Sequence, residues 1–169
     1  MKKITPFLWF DGKAEEAANF YVSIFSAVRG SASGGKNSKI GTITRYDEAG
    51  AKASGMPKGT AMTVSFRLED QGFTALNGGP HFKFTEAISF VVTCGSQEEV
   101  DHYWTKLSEG GDEKAQQCGW LKDKYGLSWQ IVPTVLIKLL QGKDAEKSKR
   151  VMQAMLQMKK IDIKSLERA

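Results

Sequence analysis

Cysteine is scarce: two residues in 169 cannot build a disulfide framework, so a reducing compartment is expected. Long apolar runs are missing too. No stretch approaches the ~20 residues that a membrane-spanning helix needs, which excludes a helical membrane protein. Charge of one sign is nowhere concentrated, although the formal net charge is +5. Lys143, Lys147, Lys149, Arg150, Lys159, Lys160 and Lys164 are interleaved with Asp144, Glu146, Asp162 and Glu167. Mixed signs at such spacing make a solvated helix face, whereas nucleic acid asks for an unbroken basic stripe with exposed aromatics. A secretion leader is imitated by Met1-Lys2-Lys3 and the apolar Ile4 to Phe10. Asp11 interrupts it and no small-x-small site follows, so the segment is read as mature structure and the protein as cytoplasmic. With 41% hydrophobic and 25% charged residues, the chain has the make-up of one globular domain over 1–169.

What is present is a repeat. Residues 4–25 run from Ile4 through Phe10 to Asp11-Gly12 and on to Phe20-Tyr21 and Phe25; residues 87–107 run from Ala87 through Thr93 to Cys94-Gly95 and on to Tyr103-Trp104 and Leu107. An offset of 83 pairs Gly12 with Gly95, Glu15-Glu16 with Glu98-Glu99, and Phe20-Tyr21 with Tyr103-Trp104. Each copy reads as an apolar strand, a glycine-containing turn and an amphipathic helix. In the second, Ser96 is the expected N-cap, with Glu99 returning a bond to the Ser96 amide. Val100, Tyr103, Trp104 and Leu107 form its apolar face, and Gly110-Gly111 ends it. In the first, Asp11 is the expected cap, and Ala14, Ala17, Ala18, Tyr21 and Phe25 form the matching face.

Beyond each helix the apolar period falls to two, the mark of strands. Strands are expected at 39–47, 60–69 and 72–77, with a hairpin turn at Asp70-Gln71-Gly72, and at 114–121 and 127–132, with a turn at Asp123-Lys124-Tyr125-Gly126. Two Gly/Ser/Lys-rich loops, 29–38 and 48–59, belong to the first half alone. Helices at 133–141 and 144–159, the latter with Val151, Met155 and Met158 on one face, close the chain. The fold class is therefore α+β: module one about 1–80, module two about 84–133, and a C-terminal helical segment about 133–169. Neither half could bury its sheet alone at ~80 residues. Two curved half-sheets side by side are expected to leave a cup suited to a small ligand.

Several blocks carry a resemblance. Ile4-Thr-Pro-Phe-Leu-Trp-Phe-Asp-Gly12, Leu76-Asn-Gly-Gly-Pro80, Gln97-Glu-Glu-Val-Asp101, Gly119-Trp-Leu-Lys-Asp123, Ser128-Trp-Gln-Ile-Val-Pro133 and Met155-Leu-Gln-Met-Lys-Lys-Ile-Asp162 resemble the PhnB-like family of the vicinal-oxygen-chelate superfamily (glyoxalase I, bleomycin-resistance proteins, extradiol dioxygenases). The resemblance covers essentially the whole chain. It implies tandem βαβββ modules forming a curved mixed sheet, and a homodimer. A dimer is also expected because Val151, Met152, Met155, Leu156 and Met158 carry more apolar surface than one small sheet edge needs. Many members bear the name 3-demethylubiquinone-9 3-methyltransferase. A Rossmann-type methyltransferase, however, needs a Gly-rich strand-to-helix turn, and Gly34-Gly35, Gly78-Gly79 and Gly110-Gly111 do not provide one.

In superfamily enzymes the resemblance implies a divalent metal held by the first and last strands of each module. Alignment on Phe20-Tyr21 places Pro6 at the first position; the last strand of module one offers Thr74, Ala75 or Asn77, the first strand of module two Ala87 or Ser89, and its last strand, aligned on Gly126, Gln130. Proline and alanine have no donor and Gln130 is a weak neutral one, so neither metal nor cofactor is expected. No catalytic residue is assigned. Alternation puts Ser128 and Gln130 on one strand face, Trp129 and Ile131 on the other. Gln130, with Asn77 and Ser89, is expected to hydrogen-bond a polar ligand or else to act as a structural amide between modules, and both readings stay open. Trp9, Trp120 and Trp129 lie on strands, where a ring facing the cup would add an apolar wall. His81 sits on a loop, where it is either an exposed loop histidine or a side chain that reaches the cup mouth. His102 is expected to face solvent, and Cys94 and Cys118, which lack C-x-x-C spacing, to be buried or edge thiols. The ligand-binding assignment is thus Gln130, Asn77, Ser89, Trp9 and His81. The expected function is small-molecule binding without a metal, with no nucleic-acid or membrane partner. A metal-independent enzyme of the same fold and the methyltransferase of the family's name are the alternatives.

Overall fold

The structure, a computed structural model, describes residues 4–28 and 37–169. It divides into two compact units, the first ending at Phe84 and the second running from Thr85 to Ala169. The first unit contains β1 (Phe7–Phe10), α1 (Ala14–Ser26), β2 (Lys39–Arg45), α2 (Glu48–Ser54), β3 (Ala61–Leu68) and β4 (Gln71–Asn77). Its sheet has the order β1-β4-β3-β2, with β1 parallel to β4 and the other pairs antiparallel. The second unit contains β5 (Ser89–Cys94), α3 (Gln97–Ser108), β6 (Trp120–Lys122), β7 (Ser128–Pro133), α4 (Thr134–Leu140), α5 (Ala145–Leu156) and α6 (Ile163–Arg168). Its sheet has the order β5-β7-β6, again with the first and last strands parallel. The duplicated plan is therefore present: each unit sets a helix after its first strand and returns its last strand beside that first one.

In the first unit Leu8, Phe10, Val64, Phe66, Phe73 and Ala75 are buried, as are Ala14, Ala17, Ala18, Tyr21, Ile24 and Phe25 of α1. The alanines let the helix approach the sheet, while Tyr21 stacks on Phe66 with ring centroids 6.2 Å apart. Asp11 does not cap α1. The oxygen that accepts from the Ala14 amide is Asn77 Oδ1, at 2.8 Å, reaching across from β4. Loop 48–59 is only partly a loop, since α2 occupies its first half between an Asp47 N-cap and a left-handed Gly55. The sequence carried both caps, and Gly50 within a short polar run concealed them. The hairpin between β3 and β4 turns one residue earlier than expected, at Glu69-Asp70, with Glu69 at φ 50°. Loop 29–38 falls mostly outside the described residues.

In the second unit Val100, Tyr103, Trp104 and Leu107 of α3 are buried, as are Val92, Cys94, Leu121, Trp129 and Ile131 of the sheet. Ser96 caps α3 by accepting from the Glu99 amide. The return bond goes one residue further than expected: Glu99 Oε2 accepts from Gly95 N, not from Ser96. The strand expected at 114–121 is a 3-10 turn over Glu113–Ala115 followed by the short β6, so the second unit has one strand fewer than the first. Asp123 fixes the β6–β7 hairpin. Buried to 2% exposure, it accepts from the Tyr125 and Leu127 amides through Oδ1 and from Trp129 Nε1 through Oδ2.

The C-terminal helices belong to this second unit. Leu136, Val151, Ile161 and Leu166 form a buried cluster against which Met155 and Met158 pack. Much of the apolar surface attributed to a dimer contact is therefore used within the chain, and Met152 and Leu156 are left exposed. Between α5 and α6, residues 158–163 form a strap. The Cys118 and Gly119 amides donate to the carbonyls of Met158 and Lys159. Gln97 donates to Ile161 O and accepts from Ile163 N, and Lys160 pairs with Asp101 at 2.6 Å. Among the described residues no helix is long and apolar enough to cross a membrane.

Burial works to raise the pKa of Asp101, but the Lys160 ammonium and the Gln97 amide outweigh it and hold the carboxyl below the usual range. A depressed folded-state pKa adds stability above the unfolded value of about 3.9, and that stability disappears as pH falls through the lower folded value. Asp101→Asn is therefore expected to cost under about 1 kcal/mol at neutral pH, because both partners are well exposed. In urea unfolding the gap between the two proteins should close as pH falls below about 4.

Candidate functional site

Each sheet has one face beneath its helix, and strand alternation sends every second residue to the other. In the first unit that helix-free face carries Phe7 and Trp9 from β1, Thr74 and Leu76 from β4, and Thr63, Ser65 and Arg67 from β3, as the register requires. Phe7 is exposed, and Trp9, Thr74 and Leu76 are half-buried. In the second unit the face away from α3 carries Ser89, Val91 and Thr93 from β5, Ser128, Gln130 and Val132 from β7, and Trp120 and Lys122 from β6. Val132 packs against the C-terminal helix cluster and Ser128 is buried, while Val91 is exposed and Gln130, Trp120 and Lys122 are half-buried.

These residues form rows across the strands. One row is Trp120, Gln130, Val91; the next is Lys122, Ser128, Ser89. Gln130 Nε2 donates to Ser89 Oγ at 2.8 Å, joining the rows diagonally. Two expected ligand-binding residues are thus brought together. The amide's Oε1 has no hydrogen-bond partner among the described residues.

Asn77 is elsewhere. Its side chain points to the helix side and is 1% exposed. Besides capping α1, it donates from Nδ2 to Ala61 O at 2.9 Å, and its own carbonyl accepts from Tyr46 Oη at 2.6 Å. Asn77 is engaged on all these sides, and Thr74 is the β4 residue that stands where Gln130 stands in β7. Trp9 lies on the helix-free face, its Nε1 donating to Gly79 O at 2.8 Å and its ring edge-on to Phe82 at 4.9 Å. His81 is exposed on the following loop. His102, expected in solvent, is half-buried with its ring edge-on to Tyr103 at 5.3 Å. Cys94 is buried, and that burial, aided by the Glu99 charge, pushes its thiol up to about 12, far from a nucleophile at neutral pH.

The Leu76-Asn-Gly-Gly-Pro80 block acts as scaffold around Trp9. Gly78 extends the β1–β4 ladder through its amide to Phe10 O, and a Cβ at this position would enter the Trp9 ring. Gly79, at φ +85°, turns its carbonyl onto the indole nitrogen.

The single offset of 83 holds for the helices but not for the first strands. Ala17 and Val100 are buried 83 residues apart, Phe10 and Cys94 84 apart. The cause is a three-residue link, Asp11-Gly12-Lys13, before α1 and a two-residue link, Gly95-Ser96, before α3. Phe7 rather than Pro6 therefore faces the last strand, opposite Thr74, while Val91 faces Gln130. None of these four offers an imidazole, thiolate or carboxylate, and nor do their neighbours on the same strands and face. The donor set does not fit a divalent metal. Nor are the two strand-to-helix links the Gly-rich turn that holds a dinucleotide-type cofactor.

Lys122 and Glu86 were not singled out from the sequence. Lys122 pairs with Glu86, which precedes β5, and the Lys122 hydrogen bond holds the Glu86 carboxyl below its usual range. The period-two spacing of Trp120 and Lys122 was the available signal, but a strand drawn to end at 121 left Lys122 outside it.

The profile of a family described as 3-demethylubiquinone-9 3-methyltransferase matches residues 2–132. A solved structure from Bacillus cereus, named a PhnB protein, is 38% identical, covers 79% of this chain and 100% of its own, and superposes with a TM-score of 0.63. A protein from Pseudomonas aeruginosa shares the fold at 17% identity, over 79% of this chain and 98% of its own, with a TM-score of 0.56. No curated protein matches the chain.

Gly78→Ala is expected to destabilise the protein by about 1–3 kcal/mol through overpacking against Trp9. In a double-mutant cycle read by denaturant unfolding, Trp9→Ala should remove most of that cost, which a purely backbone effect at Gly78 would leave unchanged.

Proposed function

We propose, on the premise that the chain belongs to the PhnB-like family whose profile carries the name 3-demethylubiquinone-9 3-methyltransferase, that it binds a small organic molecule without a metal ion. The observation that carries this reading is the Gln130–Ser89 pair on the helix-free face of the second sheet, with an acceptor oxygen left over. A half-buried amide with a free carbonyl, flanked by Trp120 and Val91, offers one directional hydrogen bond beside apolar surface, which is how small-ligand sites are built. Trp9 and Phe7 give the first sheet a face of similar kind, and exposed His81 stands on the loop that follows. Asn77 is left out of the ligand set because its side chain serves the scaffold. Methyl transfer, to which the family's name points, would need a cofactor cradle that the two strand-to-helix links do not provide.

Two tests apply. Protein purified without chelator should carry no stoichiometric zinc, nickel, iron or manganese, and a ligand recovered with it should bind roughly two- to tenfold more weakly to Gln130→Ala, the worth of one neutral hydrogen bond. A stoichiometric transition metal bound by protein side chains would overturn the reading. So would a co-purified compound held equally well by the variant.

The same reading takes the chain as a cytoplasmic homodimer. Both cysteines are free, in keeping with a reducing compartment. Phe7, Phe82, Ile88, Met152 and Leu156 are all exposed, apolar surface for a second copy to cover. Sedimentation should give twice the mass of an 18.7 kDa chain, and a single-chain mass would remove the dimer.

A further inference from the structure

We infer that the molecule bound by the second unit is an organic anion, whose charged group replaces Glu86 on Lys122 while its apolar or aromatic body lies along Trp120 and Val91. This rests on the small-molecule reading above and names the class of molecule.

The two cross-strand rows carry the argument. The row Lys122, Ser128, Ser89 is a cation, a buried hydroxyl and a half-buried one; the row Trp120, Gln130, Val91 is an aromatic ring, an amide and an aliphatic group. Successive rows on one face lie about 7 Å apart, the span of a benzene ring and a carboxylate. The Lys122 side chain is only 23% exposed, so its ammonium needs a counter-charge. Its present partner, Glu86, is 62% exposed and stands on the turn before β5 rather than on a strand. That carboxylate can leave for water without disturbing the sheet. An incoming anion then restores the charge balance, so the exchange leaves no unpaired cation on a half-buried face. Val91, 55% exposed, leaves the aliphatic end of its row open to a ligand. A neutral or cationic ligand would leave Glu86 in place and gain nothing from Lys122.

Benzoate and its neutral isostere benzamide, titrated into the full chain and followed by backbone amide NMR shifts, test the inference. Benzoate should move the amides of residues 86–91, 120–122 and 128–130 and bind about fivefold or more tightly than benzamide, with a preference that fades as salt rises. Glu86→Gln removes the competing carboxylate and should tighten benzoate about two- to fivefold, leaving benzamide unchanged. Lys122→Met should abolish the preference. Because Glu86 lies on an exposed turn, Glu86→Gln keeps the test valid should Lys122→Met fail to fold. Equal binding of the two probes at these amides, or a Glu86→Gln chain no tighter for benzoate, overturns the anion class while leaving the small-molecule reading intact. Silence of these amides toward both probes at roughly 50 mM, weaker than any specific site, removes both.

Discussion

A single layer of burial organises each half of this protein. One helix lies on one face of one sheet, joined in the second half by the C-terminal helices at Val132, and the parallel pairing of the first and last strands fixes which residues the repeat helix covers. Because strand side chains alternate, every residue committed to the helix side sends its neighbour to the other. The helix-free faces, with Trp9 and Thr74 in one unit and Trp120, Gln130 and Lys122 in the other, are thus consequences of the core. The polar ties that hold this layer are few and buried. Asn77 links α1, β3 and β4, and Asp123 links the two sides of a hairpin to the Trp129 indole.

The sequence blocks that carry the family likeness turn out to be joined in space. Gln97 and Asp101 of one block grip Ile161, Ile163 and Lys160 of another or just beyond it. The Gly78-Gly79 pair exists for Trp9 of the first block, and Cys118-Gly119 meets Met158 and Lys159. The recognisable residues are thus largely those that brace each unit internally. The likeness consequently identifies the fold and not a ligand.

The duplication, the α+β class, both repeat helices and the placing of Gln130 opposite Trp129 were legible because each rests on local periodicity. The misreadings that bear on the site depended on a partner distant in sequence, whereas α2 and the Glu99–Gly95 bond were missed locally. Asp11 satisfied every local criterion for a cap, but the oxygen that reaches Ala14 comes from Asn77, 63 residues away. Asn77 looked like a ligand residue for the same reason, since nothing nearby in sequence shows that its amide is engaged. A one-residue difference in link length displaced the strand register, which alignment on the helices alone could not detect. Lys122 and Glu86, 36 positions apart in the chain, escaped notice because only the fold makes them neighbours.

The strap at 158–163 lies wholly beyond residue 132, where the family profile stops, yet it hydrogen-bonds to residues well inside that profile. Homology and cooperativity therefore place the edge of this unit differently. A fragment trimmed to the matched span would leave the Cys118 and Gly119 amides without their partners, strip Gln97 of its bonds to Ile161 and Ile163, and bare Val132 at the end of β7 to water. The last quarter of the chain is an integral wall of the second unit, not an appendage to it.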